Sequence, residues 1–134
     1  MALRRLCEMQ FLFSLPPKLF WDSFFYHMTH ISNKNPSEIR PWQREHMTIE
    51  SVDHETRSMT QRFTVPEFFE GYKMITSTTK VNDSAIGLYS LVDISAEYDK
   101  TGPEIKDLDQ VQFLVDYINE LVLRTGGQLL RRLK

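Results

Sequence analysis

The sequence predicts an α+β fold, an antiparallel sheet carrying a long C-terminal amphipathic helix on one face, and three observations predict it. Residues 7–13 alternate apolar and polar, as a half-buried strand does. Short alternating runs between residues 46 and 98 are joined by turn-forming residues, so they read as an antiparallel meander. Residues Asp107 to Lys134 then switch to helical spacing. The order strand, helix, four strands, long helix places helices on one side of a sheet, within a single domain spanning residues 1–134.

In the first run Cys7, Met9, Phe11 and Phe13 fall on one face, opposite Glu8 and Gln10. Leu15-Pro16-Pro17 ends it, because proline adds no ladder donor and is suited to the first turn of a helix. Leu19, Phe20, Trp21, Phe24, Phe25 and Met28 make a short, very apolar helix. Tyr26 to Arg44 reads as irregular, since Asn33, Asn35, Pro36, Ser37 and Pro41 are turn-formers. His46 to Val52 and Ser58 to Val65 form a hairpin through Asp53-His54-Glu55-Thr56. Pro66 closes the second run, and Glu67 to Glu70 reads as a single turn. Tyr72 to Val81 is the next strand, and Asn82-Asp83-Ser84 with Gly87 turns into Leu88 to Tyr98, read as the longest strand with Leu88, Val92, Ile94, Ala96 and Tyr98 on one face. In the last segment Leu108, Val111, Val115, Ile118 and Val122 form the apolar stripe, with Leu114 and Leu121 beside it. Gly126-Gly127 predicts a kink or break, each glycine costing about 1 kcal/mol relative to alanine, after which Leu129, Leu130 and Leu133 resume the helical spacing.

Composition excludes several functions. A net charge of −2, with both signs mixed along the chain, leaves no electrostatic footprint for nucleic acid. The single Cys7 cannot form an internal disulfide, which suits a reducing, cytoplasmic setting. Glu8 and Gln10 interrupt the apolar start and no small-residue cleavage site follows, so Met1 to Leu15 does not read as a secretory signal. No stretch reaches the roughly 20 apolar residues of a membrane span. His27 and His30 have only Asp22 nearby in sequence, which completes no metal set. No nucleophile motif, phosphate loop or dinucleotide fingerprint is present, and no cofactor is implied.

Several strings, in order, resemble the major latex protein branch of the birch-pollen allergen (Bet v I) family, within the START-like helix-grip folds. Leu19-Phe20-Trp21 is similar to that family's helix opening. Ile49-Glu50-Ser51-Val52-Asp53 resembles its Ile-Glu-x-Val-Asp stretch, Gly71-Tyr72-Lys73 its Tyr-Lys strand, and Glu97-Tyr98-Asp99-Lys100 its Glu-Tyr-Glu-Lys. Two departures stand out. No glycine precedes Gly71, so the glycine-rich loop of the family's second hairpin is missing and Met28 to Arg44 is too short to hold that hairpin. The family's Glu-Gly-Asp turn reads Val65-Pro66-Glu67 here. The resemblance therefore implies a shortened member with a smaller sheet.

The resemblance further implies a cavity between sheet and C-terminal helix that holds a small hydrophobic plant metabolite or hormone-like molecule, with a link to defence or stress responses. If Met9, Phe11 and Phe13 point inward, strand parity adds Met47 and Ile49, then Met59, Gln61 and Phe63, then Ile75, Ser77 and Thr79, then Val92 and Ile94. The helix covers them with Val111, Val115, Ile118 and Val122. Burial of each large apolar side chain is worth roughly 1.5–3 kcal/mol, so packing alone accounts for most of this set. Gln61, Ser77 and Thr79 do not fit that account: a buried polar group without a partner costs about 1–3 kcal/mol, so this face is expected to meet water or a ligand. Met9, Met47, Met59 and Met74 suit an adaptable lining.

Some relatives are enzymes that condense an amine with an aldehyde or rearrange alkaloids, using a lysine on the last strand. The matching position is Asp93, and alternation turns it and Glu97 away from the inner face. The reading therefore favours a binding protein over an enzyme, with a metabolic enzyme as the alternative. A third reading is a regulatory module that meets a protein partner or a second copy through a sheet edge left by the missing hairpin.

Overall fold

The computed structural model describes residues 4–30, 47–64, 71–85, 87–108 and 111–134, and its first strand, β1 (Arg4–Phe13), follows the alternation of the sequence. Cys7, Met9, Phe11 and Phe13 are buried on one face. Pro16 and Pro17 then open helix α1 (Pro17–Thr29), in which Phe20, Trp21, Phe24 and Met28 are buried. The helix includes Tyr26 to Thr29, which the turn-formers further along had drawn into an irregular stretch; Thr29 Oγ1 donates back to Phe25 O at 2.6 Å. Residues 31–44 of that stretch, and the turn expected at Glu67 to Glu70, lie outside the described residues.

Strands β2 (Met47–Asp53), β3 (Ser58–Phe63), β4 (Tyr72–Asp83) and β5 (Ser90–Lys100) form the expected meander. Asp53 pairs with Ser58 across the first turn, the Asp53 carboxylate accepts the Glu55 and Thr56 amides, and Arg57 closes the turn at φ 52°. Asn82 and Asp83 pair with Leu91 and Ser90 instead of turning, which makes β4, with 12 residues, longer than β5, with 11. The inner face of β5 starts at Ser90; Leu88, expected on that face, lies before the strand and is 68% exposed. β3 stops at Phe63 and Thr64 lies beyond it; Val65, the expected end, lies outside the described residues.

The C-terminal segment departs most from expectation. Helix α2 covers only Gln112–Arg124, and the chain then forms strand β6 (Leu129–Arg132) instead of more helix. The glycine pair causes the break. Gly126 sits at φ +96°, its amide bonds to Leu123 O, and the Gly127 amide reaches back to Val122 O at 2.9 Å, which is the double bond of a Schellman helix end. Ser14 and Gln128 then exchange hydrogen bonds and deliver the chain to the edge of β1. The helical spacing of Leu129, Leu130 and Leu133 loses to a strand edge that offers backbone partners.

Among the described residues the antiparallel sheet has six strands in the order β2-β3-β4-β5-β1-β6. Both described helices pack on its inner face, and one apolar core lies between, from Met9, Phe11 and Phe13 through Phe24 and Met28 to Leu114, Ile118 and Leu121. The start of α2 is tied to the far end of the sheet. The Leu108 amide donates to the buried Tyr98 hydroxyl at 2.8 Å, and the Lys100 ammonium, 8% exposed, bonds Asp107 at 2.7 Å.

Candidate functional site

The register brings the predicted residues together in rows across the inner face. Ile49, Gln61, Ser77, Ala96 and Cys7 lie opposite one another across five strands. The next inward row holds Met59, Thr79, Ile94 and Met9, and the one on the other side holds Phe63, Ile75 and Tyr98. A bulge at Glu50 shifts the register between Ile49 and Ser51, so Met47, Ile49 and Val52 are all partly buried against the core. From the helix, Val115 and Ile118 face the same core, with Val111 capping its start. Every residue predicted to line the face is buried, except Met47 and Ile49, which are half-buried. Met74 is the methionine that does not join them, being 44% exposed.

Gln61, Ser77 and Thr79 form one polar patch near the centre of this face. Gln61 and Ser77 are direct cross-strand partners and Thr79 lies two residues along β4. All three are 0% exposed, so no water-sized gap touches them. The expected open cavity is thus closed at this point, and Met28 is part of the reason. The Gln61 amide nitrogen donates to two thioether sulfurs, Met47 Sδ at 3.0 Å and Met28 Sδ at 3.3 Å, both weak acceptors. Gln61 Oε1, Ser77 Oγ and Thr79 Oγ1 find no hydrogen-bond partner among the described residues. Ser90, on the same face, differs: its hydroxyl donates to Leu15 O at 2.5 Å.

Helix α1 covers this patch. The Trp21 indole donates to His54 Nδ1 at 3.1 Å, Phe25 meets the same imidazole edge-on at 4.6 Å between ring centroids, and α1 comes within 8 Å, Cα to Cα, of β4 and β5. On its other side α1 meets α2 across a void of about 10 Å³ lined by Leu15, Phe20, Ser23, Phe24, Ile118, Leu121 and Val122, at the threshold for one water. Met28 was missed as a site residue. Its place on the apolar stripe of Phe20, Trp21 and Phe24 marks it as buried, but spacing within one helix does not say which strand it meets.

The other chemistry weighed from sequence is occupied. Asp93 accepts from Gln10 Nε2 at 2.9 Å and from Asn82 Nδ2 at 2.8 Å, and Glu97 is exposed with Arg4 at 3.7 Å. Burial pushes the Tyr98 phenol above its ordinary range, opposed by the Leu108 amide. The hydrogen bond from Lys100 holds the Asp107 carboxyl below the usual carboxylate range, against burial and with help from the charges of Lys100 and Arg5.

A curved antiparallel sheet gripping helices on its inner face, with β1 and the meander continuous, defines a helix-grip fold. Solved structures of that class are similar over nearly the whole chain. A member of the major latex protein family from Arabidopsis thaliana is 20% identical with a TM-score of 0.66, over 92% of this chain and 94% of its own. Major latex-like protein 151 from Panax ginseng is 19% identical with a TM-score of 0.58, over 92% and 95%. Norcoclaurine synthase from Thalictrum flavum, solved with dopamine and hydroxybenzaldehyde, is 14% identical with a TM-score of 0.58, over 92% and 88%. At these identities the likeness establishes the fold. No family model and no curated protein matches the sequence.

Proposed function

We propose that this protein is a shortened relative of the major latex proteins that binds a small hydrophobic molecule between its sheet and helices, the ligand's polar end meeting Gln61, Ser77 and Thr79. One observation carries the reading: three side-chain oxygens lie on the inner face, fully buried and without partners among the described residues. Each such group costs about 1–3 kcal/mol, and a sheet that needed only a core would favour valine and leucine there. The lining is Met9, Phe11, Phe13, Ile49, Met59, Phe63, Ile75, Val92 and Ile94 from the sheet and Val111, Val115 and Ile118 from α2 and its cap. The methionines give the wall room to adapt. Binding is tested by titrating apolar aromatic probes while following tryptophan emission and the unfolding temperature. Saturable emission change with a rise in melting temperature is expected; a lipophilic library that moves neither rejects the reading.

An enzyme using the same site is the second reading, favoured by the likeness to norcoclaurine synthase and by the buried lysine Lys100. Its ammonium is occupied by the ion pair with Asp107, which opposes amine chemistry there. A cytoplasmic location accords with the lone cysteine. Strand β2, paired only with β3 among the described residues, is the proposed surface for a second copy or a protein partner, and light scattering reads its use.

A further inference from the structure

We infer that Met28 is a built-in occupant of the ligand site, and that the molecule it yields to is an apolar compound carrying a hydroxyl or similar hydrogen-bond donor. This rests on the binding reading above and adds how the site is gated and what chemistry it selects. The Met28 thioether lies 3.3 Å from the Gln61 amide nitrogen, 1% exposed, over a patch whose oxygens it cannot satisfy, because sulfur offers no donor. Its hold is therefore weak: apolar contact and one sulfur hydrogen bond. Methionine has three rotatable side-chain bonds, and Met28 sits in the last turn of α1, which ends at Thr29. In that turn Thr29 Oγ1 donates to Phe25 O and the His30 amide to Tyr26 O, bonds local to the helix, and moving the Met28 side chain breaks no strand pairing.

A ligand hydroxyl would do what the thioether does not. It can donate to Gln61 Oε1 and accept from Ser77 or Thr79, while its apolar body takes the space of the Met28 side chain within the apolar core. The patch thus discriminates between an apolar molecule with a donor and its isostere without one, since burying the patch against a plain hydrocarbon leaves every oxygen unpaired.

Two probes of one shape, 2-naphthol and 2-methylnaphthalene, test this on wild type, Met28→Ala and Met28→Ala with Ser77→Ala and Thr79→Val. Met28→Ala should bind 2-naphthol at least tenfold more tightly than wild type does and prefer it at least fivefold over 2-methylnaphthalene; the added substitutions should erase that preference. In wild type carrying ¹³C-methyl methionine, saturating 2-naphthol should shift the Met28 and Met47 methyl signals and leave Met74 in place, a readout that holds even if Met28→Ala folds poorly. Equal affinity in wild type and Met28→Ala, or an unmoved Met28 signal at saturation, overturns the gate while leaving interior binding intact. Equal affinity of Met28→Ala for both probes overturns the donor selectivity. If neither probe binds any of the proteins, the gate and the binding reading fall together.

Discussion

Thr79 and Ser90 are both fully buried hydroxyls on the inner face, yet their substitution should have opposite effects. Ser90 donates to Leu15 O, so Ser90→Ala strands a buried carbonyl and should cost about 1–3 kcal/mol in denaturant unfolding. Thr79 Oγ1 has no partner among the described residues, and Thr79→Val replaces it with a group of the same shape, so stability should be unchanged or higher by up to about 1 kcal/mol. A loss of that size for Thr79→Val would mean that the hydroxyl is satisfied after all. Gln61→Leu belongs with Thr79→Val: it should keep or raise the melting temperature while weakening probe binding, a stability-for-function exchange that a plain core residue would not display. At this scale the sequence was legible. Period-two alternation marked the inner residues of β1, β3, β4 and β5, and the polar trio stood out because it breaks an apolar face. Met28 and Ser90 were not legible, because their significance lies in contacts with distant segments, the Gln61 amide and the Leu15 carbonyl.

Elements were legible where local chemistry and tertiary pairing agree. The prolines start α1 and the Asp53 turn joins β2 to β3, as their residues dictate. The end of the chain failed because two local signals compete: leucine spacing favours helix, while Gly126-Gly127 forms a helix stop that only a sheet edge can exploit. That stop is testable. Gly126→Ala forces a side chain into φ +96° and should cost about 1–2 kcal/mol. At Gly127 an added Cβ would lie 2.8 Å from Ser14 O, so Gly127→Ala should also loosen β6 from β1, read as faster amide exchange at Phe11 to Phe13. The strap into α2 gives a pH dependence. Because Lys100 lowers the Asp107 pKa, the charged carboxylate favours the folded state. That contribution is complete above the ordinary aspartate range and is lost as pH falls through the lowered folded value. Asp107→Asn should therefore flatten the acid side of the stability-versus-pH curve and leave its neutral region parallel to wild type.

For the molecule as a whole, the position of α1 frames the central finding: it lies across the sheet with Trp21 and Phe25 against the β2–β3 turn at His54 and Met28 over the polar patch. The inner face is thereby sealed by this chain's own helix, which element order could not reveal: it announces a helix after β1 but not where that helix comes to rest. The account accordingly predicts an interior that opens for a ligand with a hydroxyl, not one that stands open. The most direct measurement is the set of NMR contacts between 2-naphthol and ¹³C-labelled isoleucine and leucine methyls in the wild-type protein. Contacts from the ring to Ile75, Ile94 and Ile118 are predicted; contacts confined to the exposed methyls of Leu6, Leu88 and Leu123, or no contacts at saturating probe, would contradict it.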